Sequence, residues 1–171
     1  MGKEAIGKLV GLLAGRASKL RGVLIVTDAD DDPLASFTEA TKAFVDPFKP
    51  PTSSYVIHKG KKHKTGVYLT PGRGKTGELE HLLLEAVLAE NPKGLECIDK
   101  LGECTSTMAD WKPNKIAKMR MACYVASHCK NDPCCSLAYL WAKKNKVLDI
   151  ANPAFAELGD FLVEFASDED S

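Results

Sequence analysis

The run Gly22-Val23-Leu24-Ile25-Val26-Thr27, with the acidic stretch Asp28-Ala29-Asp30-Asp31-Asp32-Pro33 directly behind it, constrains this chain more than any other feature. A short, continuously apolar, β-branched run reads as a strand buried on both faces, the kind found inside parallel sheets. Asp32 is a good N-cap and Pro33 suits a first helical position, so a helix is expected from Pro33 to about Val45. Strand, acidic turn and helix form half of a β-α-β unit.

The rest of the chain extends that pattern. Residues 4–20 place Ile6, Leu9, Val10, Leu13, Ala17 and Leu20 at helical spacing, weakened by Gly7, Gly11 and Gly15. Asp46 to Pro51 is a proline-rich loop. Tyr55-Val56-Ile57 and Gly66-Val67-Tyr68-Leu69 read as further strands, with the basic tract His58-Lys59-Gly60-Lys61-Lys62-His63-Lys64 turning between them. Pro71-Gly72-Arg73-Gly74 ends the second of these. Helices are expected over Gly77–Glu90, with Leu79, Leu82, Leu83, Ala86 and Val87 on one face, and at about 94–104, 114–129 and 135–145. A last one, Pro153–Phe165, would bury Phe155, Leu158, Phe161, Leu162 and Phe165, and Trp111 and Trp141 read as core or helix-packing residues. Strands interleaved with helices over 171 residues predict one α/β domain. Its parts would be a strand-rich core at 1–92, a helical part at 93–166 and an acidic tail at 167–171.

Lys plus Arg and Asp plus Glu both number 23, so net charge encodes no general attraction to nucleic acid or anionic lipid, and any such contact needs a local patch. No apolar run approaches the roughly 18 residues of a spanning helix. Glu4 and the short apolar run Leu9–Ala14 do not suit a signal peptide, and Ile6 stands where myristoylation favours Ser or Thr. A cytoplasmic protein is expected. The cysteines, Cys97, Cys104, Cys123, Cys129, Cys134 and Cys135, form no C-x-x-C pair. They read as reduced, packed thiols, with a zinc module built on Cys123, His128, Cys129 and Cys134 as the rival reading.

Asp28-x-Asp30 lies at the C-terminal end of the strongest strand, the edge where open α/β sheets bind ligands. Carboxylates this close repel one another, and a hard cation such as Mg²⁺ or Mn²⁺ removes that cost. Asp28 and Asp30 fall on the same side of an extended chain, with Asp32 beside them. The plainer reading has Asp30 to Asp32 capping the next helix, which Asp32 fits without any metal. Gly74-Lys75-Thr76 imitates a P-loop, but Leu69 stands where its first glycine belongs, and Pro71 removes an amide. The basic tract is either a phosphate-backbone contact or a solvated hairpin tip; no aromatic residues interleave there for base stacking.

Val26-Thr27-Asp28-Ala29-Asp30 after a buried strand resembles the D-x-D motif of Toprim domains, the metal-binding fold of topoisomerases, primases and related nucleases. More closely, the chain resembles a prokaryotic domain-of-unknown-function family (family 3226) of the Toprim-like group. The matching landmarks are Gly2-Lys3-Glu4, Gly22 to Pro33, Gly66 to Pro71, Gly77-Glu78-Leu79-Glu80, Lys118 to Ser127 and Asn152-Pro153-Ala154-Phe155. The resemblance implies a three-layer, Rossmann-like sheet flanked by helices, with a helical C-terminal half. It also implies a site in which Asp28, Asp30 and Asp32 hold the metal and Glu80 assists, or Glu80 is an ordinary exposed helix residue. Toprim domains carry a further Glu, in an E-G-x-x-D context, on a strand upstream of D-x-D; no Glu-Gly dipeptide occurs here, which points to a shortened or naturally reduced form.

Three functions remain open at this stage. The first is Mg²⁺-dependent cleavage or transfer at nucleic-acid phosphodiesters, DNA or RNA, with Asp28, Asp30 and Glu80 catalytic and Lys61, Lys62, Arg73 and Lys75 holding phosphate. The second is a non-catalytic binding or regulatory module that keeps the fold, and the third is the Cys/His zinc module. A missing strand would leave a bare sheet edge, which favours a homodimer.

Overall fold

A computed structural model describes residues 3–106, 108–129, 132, 134–141 and 147–167. The fold is mixed α/β, with six α-helices and one three-stranded sheet among the described residues. The chain separates into two compact units: residues 1–79 with 157–171, and residues 80–156.

In the first unit, α1 (Lys3–Ala14) stops well short of residue 20 and gives way to a 3₁₀ turn at Ala17–Lys19. Three glycines, the last at Gly15 just past the helix end, make continuation costly. Strand β1 (Gly22–Asp28) and helix α2 (Pro33–Thr41) form where the apolar run and the Asp32-Pro33 start require them. Asp32 Oδ1 accepts from the backbone N–H groups of Leu34 and Ala35, both at 3.0 Å, closing the first turn of α2. After a loop, β2 (His58–Lys59) turns into β3 (Lys64–Thr70). The short strand begins three residues later than expected: Tyr55, with φ of +60°, donates its N–H to the Val67 carbonyl at 2.9 Å, Val56 and Ile57 join no ladder, and His58 and Lys59 alone pair as β2.

The strand order is β1-β3-β2, with β1 parallel to β3 from Gly22 opposite Lys64 to Asp28 opposite Thr70, and β2 antiparallel to β3. Val23, Ile25, Val67 and Leu69 enter a core with Val10, Ala40, Phe44 and Phe48. On the other face, Tyr68 meets Phe161 of α6 (Ala156–Ala166), ring centroids 5.5 Å apart. β3 is buried over almost its whole length, as a central strand should be. β1 is not: Val26 is 46% exposed, because β1 pairs on one side only and stands at the edge of the sheet.

The second unit packs α3 (Leu79–Glu90), α4 (Pro92–Cys104) and α5 (Pro113–His128) around Leu83, Val87, Leu95, Ile98, Met121, Tyr124 and Leu140. Asn91 caps α4 through Gly94, and an Arg120–Asp99 ion pair at 2.6 Å joins α4 to α5. The helix expected at 135–145 is a 3₁₀ segment, Leu137–Trp141, with 142–146 outside the described residues. Trp141 packs edge-on against Phe155, yet at 39% exposure it is no more covered than Trp111 at 37%, so neither tryptophan is a core residue. The expected stripe of the last helix is split: Phe155 belongs to this second core, Phe161 to the first unit, and Leu162 is exposed.

The close approach of β1 to β3 requires glycine at its start. A Cβ on Gly22 would lie 2.3 Å from the Lys64 carbonyl oxygen and 3.0 Å from the Phe165 ring, whereas on Gly66 the nearest atom is a side-chain carbon at 3.1 Å. Gly22→Ala should therefore destabilise by about 1–3 kcal/mol, more than Gly66→Ala, as urea unfolding midpoints would read.

Candidate functional site

The parallel register brings Asp28 and Thr70 side by side at the C-terminal edge of the sheet. Asp28 Oδ1 accepts from Thr70 Oγ1 and from the backbone N–H of Leu79, each at 2.8 Å. Both bonds fall on one oxygen, and Oδ2 receives no hydrogen bond from the described residues. Asp30 has φ of +53°, which re-aims the chain after the strand. Its backbone exchanges two hydrogen bonds with Gly77, at 2.8 and 2.7 Å, and its Oδ2 accepts from Ser36 Oγ at 3.3 Å. Ser36 also donates to the Ala29 carbonyl at 2.9 Å, which fixes the start of α2 against the turn.

Asp30, Asp31, Asp32, Ser36 and Glu39 line a surface hollow of about 490 Å³ with no basic residue on its wall. Asp32 points its Oδ1 back into the α2 cap, so one of its oxygens is already engaged. Glu80 sits in the first turn of α3, as the opening residue of the second unit. Glu78, which motif reading passed over, belongs to the same unit as Asp28 and is only 8% exposed. It lies between Gly77, bonded to Asp30, and Leu79, held by Asp28. Charged side chains this buried are normally paired or metal-bound, a burial that no single-sequence spacing reveals. Thr70 and Ser36 were likewise invisible, because only the β1–β3 register and the α2 entry angle bring them to the aspartates.

The four basic candidates divide between the two ends of the sheet. Arg73 and Lys75 follow β3 at the acidic end. The Arg73 backbone N–H donates to both oxygens of Glu157, at 3.1 and 3.3 Å, and its guanidinium lies 5.2 Å from the Tyr55 ring centroid. Tyr55 in turn donates to the Leu69 carbonyl at 2.9 Å. Lys61 and Lys62 lie at the opposite end, in the β2–β3 turn, where they line a hollow of about 470 Å³ with Lys49, His58, Lys59 and His63. Six strand steps separate the ends, roughly 20 Å. His63 is structural there, with Nδ1 3.0 Å from the Leu20 carbonyl and its ring against Phe48.

Among the described residues no group of three His, Cys, Asp or Glu side chains is placed to hold one metal ion. The cysteines are all free thiols. Cys135 lies against Cys129 and its thiol is pushed up to about 11, chiefly by loss of solvent and then by that neighbour, which favours the protonated form over a metal-binding thiolate. No helix among the described residues is long and apolar enough to cross a membrane.

The sequence matches the family described as Protein of unknown function (DUF3226) over residues 2–167, and the chain belongs to that family. Neither a curated protein nor a solved structure matches it.

Two predictions follow the geometry. Asp28→Ala removes the charged acceptor shared by the Thr70 hydroxyl and the Leu79 N–H, and should lower stability by about 1–3 kcal/mol in denaturant titration, with Asp28→Asn, which keeps an acceptor oxygen, costing less. Burial, reinforced by Glu157 and opposed by Arg73, pushes Tyr55 up to about 12. An unfolded tyrosine ionises near 10, so the contribution of Tyr55 is complete below about pH 10 and is lost as pH rises to about 12. Tyr55→Phe should flatten the fall in unfolding midpoint over that window.

Proposed function

We propose that this member of the family is a Toprim-like domain in which Asp28 and Asp30 hold a divalent cation, Mg²⁺ or Mn²⁺, against a phosphate of a nucleic-acid backbone. The observation that carries the reading is the posture of Asp28, whose one oxygen is fixed by two donors while the other faces none. Ligating carboxylates are typically steered in this way by hydrogen bonds to the non-ligating oxygen. Two carboxylates suffice for Mg²⁺, which commonly takes one or two, keeps several waters and completes its shell with substrate phosphate. The acidic hollow supplies the negative potential such an ion needs.

When bound, the cation would neutralise charge on a phosphoryl oxygen. The chain's own residues bind and orient. Thr70 and Leu79 hold Asp28, Ser36 braces Asp30, and the Glu157 clamp fixes the loop that carries Arg73 and Lys75 near the phosphate. Glu78, inside the same unit and nearly buried, is better suited than Glu80 to assist. Lys61 and Lys62 would contact the backbone farther along, about six nucleotide steps away at roughly 3.4 Å each. Strand cleavage would also need a proton carrier, the role that the Toprim resemblance gives to a Glu in an E-G-x-x-D context.

A second reading, a binding or regulatory module without turnover, is favoured by one specific observation: one oxygen of Asp28 and one of Asp32 already serve structural donors, as a clip for Thr70 and Leu79 and as the cap of α2, without any ion. Titration with Mn²⁺ followed by electron paramagnetic resonance separates the outcomes. The cation reading expects saturable binding that weakens at least tenfold in Asp28→Asn and Asp30→Asn while circular dichroism stays unchanged, and the lack of saturable binding by the native chain would refute it. Binding together with Mn²⁺-stimulated cleavage of single-stranded DNA or RNA supports the enzyme; binding without cleavage supports the module.

A further inference from the structure

We infer that the outer edge of β1 is a self-association surface, on which a second copy of this chain adds its own β1 in antiparallel orientation. The direction of the main-chain groups follows from two bonds: the Arg21 carbonyl accepts from Lys64 and the Ala29 N–H donates to Thr70, so odd-numbered residues face β3. Gly22, Leu24 and Val26 therefore turn their N–H and C=O groups outward, and among the described residues none of these has a partner. Bare main-chain groups on an apolar edge are what a further strand satisfies.

The usable length fixes the register. Gly77 bonds to both main-chain groups of Asp30, so the outer side is already occupied beyond the strand's C-terminal end. Pairing confined to Gly22–Val26 sets the twofold axis at Leu24, with Gly22 opposite Val26 of the second copy and Leu24 opposite its equivalent. Three narrow pairs then supply six main-chain hydrogen bonds. Side chains agree with that register. Val26 is 46% exposed and would lie beside the other copy's Gly22, where the Phe165 ring closes in. On α6, Phe161 and Phe165 face the sheet and Glu157 turns to Arg73, which stacks on Tyr55 on the β2 side. Leu162, 43% exposed, consequently falls on the β1 flank and widens the apolar strip.

Charge decides in favour of a second copy over an unrelated strand. β1 is preceded by Arg16, Lys19 and Arg21, ends on Asp28 and is followed by Asp30, Asp31 and Asp32. An antiparallel copy lays each basic end beside the other's acidic end, twice over, whereas a parallel copy would set like beside like.

Sedimentation equilibrium of the full chain should give a mass twice 18.5 kDa at micromolar concentrations. Val26→Lys, at an exposed position, should weaken the dimer at least tenfold with an unchanged melting curve. Arg21→Asp and Asp31→Arg should each weaken self-association by placing at one end of β1 a charge of the same sign as the end it meets, and mixing the two variants should restore a mixed dimer, because each altered end then meets the other. Exchange of the Leu24 and Val26 amide hydrogens should slow as concentration rises, a readout that does not depend on any variant folding. A monomer at every concentration, or a dimer indifferent to Val26→Lys and to the charge swap, overturns the inference; the latter result would place the interface elsewhere.

Discussion

The parallel pairing of β1 with β3 is the constraint on which the first unit depends. Sliding β3 by one residue would turn Val67 and Leu69 away from the core and replace Thr70 opposite Asp28 with a neighbour that has no hydroxyl. Core and site are thus specified by the same register. Gly22 and Gly66 permit it, since the approach of β3 and of the α6 aromatic rings leaves no room for a side chain at the first and little at the second.

Much of this order was legible from the chain alone. The apolar run, the Asp32 cap and Pro33 fixed β1 and α2 to within a few residues, because each signal acts locally. The reading failed where long-range pairing decides. Four apolar side chains in a row, Val23 to Val26, do not distinguish a central strand from an edge strand, so β1 was expected to be buried on both faces and is not. Tyr55-Val56-Ile57 has strand composition, yet Tyr55 is needed to brace Leu69 and Arg73, and takes up a positive φ. Phe155 and Phe161 share a helical spacing but serve different cores.

The acidic turn shows the same division. Its composition announced a site, and nothing in it announced how differently the four aspartates are used. Asp32 is a cap, Asp28 a clip between two segments, and Asp30 a corner whose backbone matters as much as its carboxylate. Repulsion among them is eased by donors distributed over three segments: Thr70 on β3, Leu79 at the head of α3, and Ser36 with the first amides of α2. A turn built in this way carries its own donors for the charge it gathers.

Opposite charge at the two ends of β1 accounts for a further property of the unit. The net charge is zero, but the strand has basic residues before it and acidic residues after it, roughly 20 Å apart, with the lysine-rich β2–β3 turn at the basic end. Under the proposed function, a phosphate held at the acidic end through a cation and a second one held by lysine at the other end would require a strand several nucleotides long, whereas a mononucleotide would reach only one of them. The same polarity makes head-to-tail alignment of two β1 edges attractive at both contacts and parallel alignment repulsive at both. One charge asymmetry, written into the residues on either side of a single strand, would serve both the proposed cation-held phosphate and the inferred second copy.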